Sequence, residues 1–149
     1  VCSTMQLTRH TDYALRVLMY LAAQKERMAS VAEISESYSI SRNHLVKVVQ
    51  GLSEHGFVTT VRGKKGGMQL ASYVDNISIG NVIRHMENHF DIVECLDQTT
   101  GNCVIDRSCK LKGVLNHAVN NFLKELDGIS LADVLKPGIR KELVHLSKK

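Results

Sequence analysis

Three cysteines lie close together in the second half of this 149-residue chain: Cys95, Cys103 and Cys109. Thiolates bind zinc, copper(I) and iron–sulfur clusters, and an odd number of thiols cannot all pair as disulfides within one segment. Structural zinc sites usually contain closely spaced cysteine pairs, which this segment lacks. The spacing therefore favours an iron–sulfur cluster with one ligand still to be supplied. We expect [4Fe–4S] rather than [2Fe–2S], but the spacing itself does not distinguish the two. The alternative is three unrelated thiols, some of them buried as small apolar side chains.

Spacing alone does not identify the fourth ligand. His85 and His89 stand four residues apart on one predicted helix and could form a metal pair, although a polar helix face is the commoner reason for this spacing. The candidates with suitable donor groups are Asp12, His10, His85, His89 and His117.

A second group of residues has the chemistry of a DNA reader. In a helix-turn-helix, the first residues of the second helix enter the major groove. Arginine suits guanine edges and asparagine suits adenine edges, because each side chain can form two hydrogen bonds to its base. In this chain those positions are Ser41, Arg42, Asn43 and His44, followed one turn later by Lys47.

A basic, glycine-rich turn follows the predicted reading helix. Arg62, Lys64 and Lys65 lie on this turn, where they suit phosphates or an adjacent minor groove. Residues 41–65 contain five basic residues and one acid, Glu54, so this segment accounts for the whole formal net charge of +4. The alternative is a solvated polar helix face and an ordinary charged hairpin, but the combined signal favours DNA binding.

The elements that must position these residues are mostly helical. Apolar periodicity predicts a helix over residues 12–24, and Ser30 and Ser41 are placed to begin the next two helices. Residues 57–61 and 68–70 then predict two strands around the glycine-rich turn. Three helices followed by a basic hairpin predict a winged helix-turn-helix.

The second half contains a further capped helix and a long one. Ser78 is placed to begin the first, and a helix from about Cys109 to Asp127 carries an apolar stripe wide enough to predict dimerisation. A short helix should begin at Ser130, and Pro137-Gly138 should end it, which leaves a frayed tail. We thus expect a winged helix-turn-helix in residues 5–75 and a cysteine loop with a dimerisation helix in residues 76–149.

Bulk composition limits the function. Apolar residues make up 44% of the chain and aromatic residues only 5%, which favours one helical unit packed from Leu, Val and Ile. We expect a cytoplasmic protein, because there is no signal peptide and no apolar run of the roughly 18 residues that span a bilayer. No nucleophile–base pattern or phosphate-binding glycine motif suggests an enzyme.

Several segments resemble the winged-helix iron–sulfur regulators, and in particular the members that sense nitric oxide. The similarity covers residues 5–135. The segments that carry it are Met5-Gln6-Leu7-Thr8, Thr11 to Arg16, Ser41 to Lys47, Val61 to Gly67 and Cys109 to Lys112.

The resemblance implies a homodimeric repressor that binds palindromic double-stranded operator DNA in its cluster-loaded form and releases it when nitric oxide attacks the cluster. It implies that Asp12 of the partner subunit is the fourth ligand. Arg16, four residues further on the same helix, is placed to pair with Asp12. Members that regulate cluster assembly instead use a histidine shortly after the third cysteine, where this chain has Lys112, and the first cysteine gap is longer than is usual in the family.

Three alternatives to a nitric-oxide sensor stay open from the sequence. The first is a regulator that responds to iron–sulfur or redox status. The second is a redox or metal-carrier protein with an incidental basic patch. The third is a cluster-free regulator that uses its thiols for disulfide sensing.

Overall fold

The computed structural model describes residues 6–24, 27–97, 103–105 and 108–146.

The first three helices form a compact group. Helix α1 (Arg9–Ala23) begins three residues before the predicted start, because the Thr8 hydroxyl accepts a hydrogen bond from the Thr11 amide and so caps the helix. Helices α2 (Val31–Tyr38) and α3 (Arg42–Glu54) follow, and both pack into one core with α1.

The predicted helix-turn-helix is confirmed. Ser30 caps α2 through the Glu33 amide, and Ser39 adopts a left-handed conformation (φ 54°) that turns the chain towards α3. Leu45 and Leu52 of α3 are almost fully buried against α1. The burial of one α3 face fixes its opposite face towards solvent.

The predicted wing is also confirmed. Strand β1 (Val58–Val61) pairs antiparallel with β2 (Gly67–Leu70). Met68 exchanges backbone hydrogen bonds with Ala29, which anchors the hairpin to the segment before α2. Gly63 has a φ of 116°, a conformation that L side chains rarely adopt, so the turn between the strands depends on this glycine.

Among the described residues, the second half contains four α-helices: α4 (Ile79–Met86), α5 (Lys110–Asp127), α6 (Leu131–Val134) and α7 (Pro137–Leu146). The Ser78 hydroxyl caps α4 as predicted. Ser130 and Asp133 form a complete capping box at α6. Helix α4 packs against both α1 and α5, and it therefore joins the two halves.

The prediction for the C-terminal segment is wrong. Pro137 does not end the chain's regular structure but begins α7, because the first turn of a helix tolerates proline, whose missing N–H would have no partner there. Helix α7 packs against α1, and Leu143 is 6% exposed. The predicted fraying is therefore wrong as far as Leu146, and residues 147–149 lie outside the described ranges.

Aliphatic side chains from both halves contribute to one buried core. Within the described part of the chain, no helix is long and apolar enough to cross a membrane. The division at residues 75 and 76 stays a prediction.

Candidate nucleic-acid interface and cysteine segment

The exposed face of α3 carries most of the residues predicted to read DNA. Arg42, Asn43 and Lys47 are exposed, whereas Leu45 and Val48 on the opposite face are buried. Because α3 follows a tight turn after α2, its N-terminal residues project from the surface of the group. This is the presentation that a major-groove reader needs.

The structure adds one contact at Arg42 and one missing contact at Ser41 that the sequence did not predict. Arg42 donates to Glu36 of α2 at 3.1 Å, but both side chains are well exposed, so this ion pair contributes little and can be exchanged for a base or phosphate. Ser41 stands at the N-cap position of α3, yet its side chain makes no capping hydrogen bond. Its exposed hydroxyl is therefore available to a phosphate.

The wing presents three cations to solvent. Arg62, Lys64 and Lys65 are exposed in the turn between β1 and β2. Among the described residues, no ion pair includes any of them or Lys47. Unpaired cations on a projecting hairpin attract a polyanion without first having to break an internal contact.

His44 differs from the other predicted readers because it is half-buried. Its ring lies edge-on to Tyr13 of α1, with 4.9 Å between ring centroids. The guanidinium of Arg16 lies 5.7 Å from the centroid of the Tyr13 ring. His44 therefore connects the reading helix to the first turns of α1.

Asp12 lies in the first turn of α1 with its side chain 45% exposed. The predicted pair with Arg16 is confirmed: Arg16 donates to both carboxylate oxygens, at 2.8 and 3.2 Å. Within the described residues, no cysteine of the same chain joins Asp12 in a group of ligands. The Asp12 carboxylate is thus exposed on the surface of α1. The next residue of this helix, Tyr13, contacts His44 of the reading helix.

A hydrogen-bond network at the start of α1, partly buried at Thr11, has no signal in the sequence. Glu87, which follows α4, accepts hydrogen bonds from the Thr8 amide, the Thr8 hydroxyl and the Thr11 hydroxyl, the last at 2.5 Å. Thr11 is fully buried. These bonds join residues almost eighty positions apart, so helical spacing could not predict them. They connect the beginning of α1 to Glu87, the first residue after α4. We call residues 87–109, which carry the three cysteines, the cysteine segment.

The cysteine segment brings two of the three predicted ligands together. Cys95 and Cys103 line one cleft of about 350 Å³ with Val93 and Glu94. Cys109 is not among the described residues lining that cleft; it is the N-cap of α5, and the turn that holds Cys95 packs against α5. All three thiols are free.

The donor set fits a thiolate-bound metal cluster, although the described residues do not form a closed site. No group of three His, Cys, Asp or Glu side chains among them is close enough to hold a metal ion. The free thiols on one short segment, two of them in one cleft, supply the ligand chemistry that iron–sulfur clusters require. Residues 98–102 and 106–107, within this segment, lie outside the described ranges.

The histidine alternatives have other surroundings. Helix α4 ends at Met86, so the prediction that His89 shares a helix with His85 is wrong. His85 hydrogen-bonds the Asn81 carbonyl at 2.8 Å and packs against the rings of His55 and Phe57.

The two remaining histidines also lack a ligand group among the described residues. Burial lowers the pKa of His10, nearby His44 lowers it further, and Glu87 opposes both effects. His117 is exposed on α5. Neither joins described ligands in a metal-binding group.

Helix α5 exposes an apolar stripe. Leu111 is 62% exposed, Val114 63% and Phe122 48%; Ala118, also exposed, lies between them. Leu123, at a different position around the helix, is buried. We call Leu111, Val114, Ala118 and Phe122 the α5 stripe.

Comparison with known proteins decides the family. The family model described as Rrf2, iron-dependent transcriptional regulator, matches residues 7–137. The chain belongs to the Rrf2 family. It is 46% identical to the HTH-type transcriptional regulator NsrR of Bacillus subtilis over 133 aligned residues. The alignment covers 89% of this chain and 91% of that protein.

Solved structures of Rrf2-type regulators share the fold. The structure of T. potens IscR superposes with a TM-score of 0.67 at 26% identity, covering 93% of this chain and 91% of that one. CymR, described as the global cysteine regulator of B. subtilis, gives a TM-score of 0.69 at 24% identity, covering 89% of this chain and 97% of that one. The protein is a transcriptional regulator with a winged-helix fold and not an enzyme.

Proposed function

We propose that this Rrf2-family regulator is a homodimeric, iron–sulfur-dependent repressor that releases its operator in response to nitric oxide. The observation that carries the proposal is the placement of three free thiols on the segment joined to α1 through Glu87. Helix α1 in turn contacts the reading helix. A ligand-binding segment and a DNA reader thus share one structural connection. Similarity to regulators named NsrR supports the same function.

The reader favours double-stranded DNA as the partner. Arg42, Asn43 and Lys47 share the exposed face of α3, and the wing adds three cations beside it. Charge on both elements supplies phosphate affinity, while the amide and guanidinium groups of α3 can read base edges.

The residues that would hold the cluster are Cys95, Cys103 and Cys109, with Asp12 of the partner subunit as the fourth ligand. When bound, the cluster supplies iron at which nitric oxide reacts. Asp12 is exposed and oriented by Arg16, so its carboxylate can be offered outward without rearrangement of α1. A carboxylate is a weaker ligand than a thiolate for such iron, so Asp12 would be the most weakly held of the four ligands.

Asp12 is one residue from Tyr13, which packs against His44 of α3. A shift at the first turn of α1 would therefore reach the reading helix through this ring contact. In a dimer, the two reading helices must match half-sites about 34 Å apart. A small rotation of each would reduce operator affinity.

The α5 stripe supports a homodimer. Leu111, Val114 and Phe122 each expose about half or more of their surface, and they repeat at helical spacing on one side of α5. Contiguous apolar surface of this kind marks an interaction site. A second copy of the chain would cover it and would bring two readers to one palindrome.

The decisive experiment is an anaerobic titration of the purified, cluster-loaded protein with nitric oxide. Visible absorbance and binding to an operator duplex are followed in the same samples. The proposal predicts that bleaching and DNA release proceed in parallel, with a midpoint set by the ratio of nitric oxide to cluster. Operator affinity before the titration should also fall steeply with salt.

The control is Cys103→Ser, because this exposed cysteine contributes nothing to the core. We expect the variant to fold, to lack the visible chromophore and to bind the operator as weakly as the nitrosylated wild type, with or without nitric oxide. A colourless wild-type protein whose DNA binding ignores nitric oxide would contradict the proposal. Release by peroxide with formation of a Cys95–Cys103 disulfide, but not by nitric oxide, would instead favour thiol redox sensing.

A further inference from the structure

One side chain on the exposed face of α3 is not polar. The other exposed residues of this helix are Arg42, Asn43, Lys47, Gln50 and Glu54. Val46 is 53% exposed among them. The three other valine and leucine residues nearest to it in sequence, Leu45, Val48 and Val49, are at most 7% exposed.

The position of Val46 on the helix is more informative than its exposure alone. At 100° per residue, Val46 lies between Arg42 and Asn43 around the helix and one turn further along it. Arg42 and Asn43 are the two side chains best suited to read base edges. Val46 is therefore central on the surface that would face the groove.

Core packing does not account for this valine. Its neighbours Leu45 and Val49 provide the buried face of this part of α3, and more than half of the Val46 side chain contacts solvent. A single exposed valine is ordinary on a protein surface, but this one stands where a duplex would remove it from water. The base edge that offers an apolar partner in the major groove is the C5 methyl of thymine.

We propose that Val46 is a specificity-determining residue that contacts a thymine methyl group in each operator half-site. The inference rests on the proposed DNA-binding function and adds one recognised base to it. Arg42 and Asn43 supply hydrogen bonds on either side, and Val46 distinguishes thymine from cytosine and uracil, which lack the methyl. Burial of one methyl-sized group changes an equilibrium by about fourfold at 25 °C.

The test uses the cluster-loaded dimer and a duplex that this protein enriches from a randomised pool. Each thymine of the enriched site is replaced in turn by deoxyuridine, which removes the methyl and keeps base pairing. We expect one symmetry-related pair of positions at which the replacement weakens wild-type binding by about fourfold per half-site. V46A should bind the parent duplex more weakly and be insensitive to deoxyuridine at those positions.

The matched control is V61A, because Val61 is a valine of nearly equal exposure, 50%, that lies on β1 of the wing and not on the reading helix. V61A should keep the full deoxyuridine penalty, and both variants should melt at the wild-type temperature. A wild-type protein insensitive to every deoxyuridine would overturn the inference. So would a penalty that persists in V46A, since the methyl would then act through DNA shape or another side chain. Failure to enrich any duplex would overturn the proposed function itself.

Discussion

Helices α3 and α5 differ in how much apolar surface the single chain covers. Four of the 13 residues of α3 are buried, and they fix the reading face towards solvent. Only Leu123 is buried among the 18 residues of α5, although this helix carries the wide apolar stripe. The reader is therefore complete within one chain, whereas α5 presents a surface that a partner would complete.

The reading helix and the cysteine segment differ in the same way, because the contacts of the first are internal and the second is open to solvent. The reader's key contacts are internal, such as the ring contact between Tyr13 and His44. The thiols instead lie in or beside an open cleft, and the described residues do not close a metal site around them. The cysteine segment would therefore need a bound ligand to complete its site, whereas the reading helix is held in place by contacts within the chain.

The largest effect that separates the two regions should come from a charge on the α5 stripe. Val114→Asp places a carboxylate in the proposed dimer interface, where it would be buried without a partner. We expect loss of the dimer at micromolar concentration and a fall in operator affinity of about 100-fold or more, because two linked half-site contacts become one. Sedimentation velocity and operator titration measure the two effects.

The matched control is Asn120→Asp, which adds the same charge to an exposed position on another side of α5. It should leave the dimer intact. If Val114→Asp remained dimeric and bound DNA normally, α5 would not be the interface, and its contrast with α3 would lose its functional meaning.

A smaller effect is expected where α4 packs against α5 within the second half. Gly80 of α4 lies so close to α5 that a Cβ atom would stand 2.5 Å from the Asp127 amide nitrogen and 2.8 Å from its Cα. Backbone atoms cannot rotate away, so Gly80→Ala should separate α4 from α5 and cost about 1–3 kcal/mol in the free energy of unfolding. Denaturant titration of the cluster-free protein measures this cost.

Gly113→Ala is the matched control on α5 itself. A Cβ atom there meets nothing within 4 Å among the described residues, and alanine favours the helix by about 0.5–1 kcal/mol over glycine. The two substitutions should therefore change stability in opposite directions. Equal changes would mean that the contact between α4 and α5 is looser than its geometry indicates.

The sequence predicted the reader well because its signals are local. Serine caps, a glycine-rich turn and apolar periodicity each act within a few residues, and the structure has a helix or strand at every predicted place. The same local rule failed at Pro137, because proline suits both the end of one helix and the first turn of the next. Local signals also put His89 on a helix that ends at Met86.

The candidate site was predictable only in its parts. The cysteines, the exposed positions of α3 and the pair of Asp12 with Arg16 follow from residue type and spacing. The bonds from Thr8 and Thr11 to Glu87 do not, because they depend on how α4 packs against α1.

The smallest effect is expected from removing one carboxylate from each region: Glu33 of α2, in the helix-turn-helix, or Asp127 of α5. Burial raises the pKa of Glu33, but hydrogen bonds from Arg27 and Tyr20 outweigh it and leave this pKa below its usual value. A hydrogen bond from Arg84 lowers the pKa of Asp127. In both cases the stabilisation is present above the ordinary carboxyl pKa and is lost as the pH falls through the lowered one.

Glu33 is the more enclosed of the two, at 23% exposure against 41% for Asp127. Glu33→Gln should therefore cost about 1 kcal/mol at pH 7 and flatten the loss of stability between pH 5 and 3, as measured by denaturant titrations across that range. Asp127→Asn should have a weaker effect that 0.5 M salt removes, because salt screens an exposed pair far more than an enclosed one. Equal salt sensitivity of the two variants would show that the Arg27–Glu33 pair is as open to solvent as the Arg84–Asp127 pair. The difference between the two regions would then be confined to their apolar surfaces.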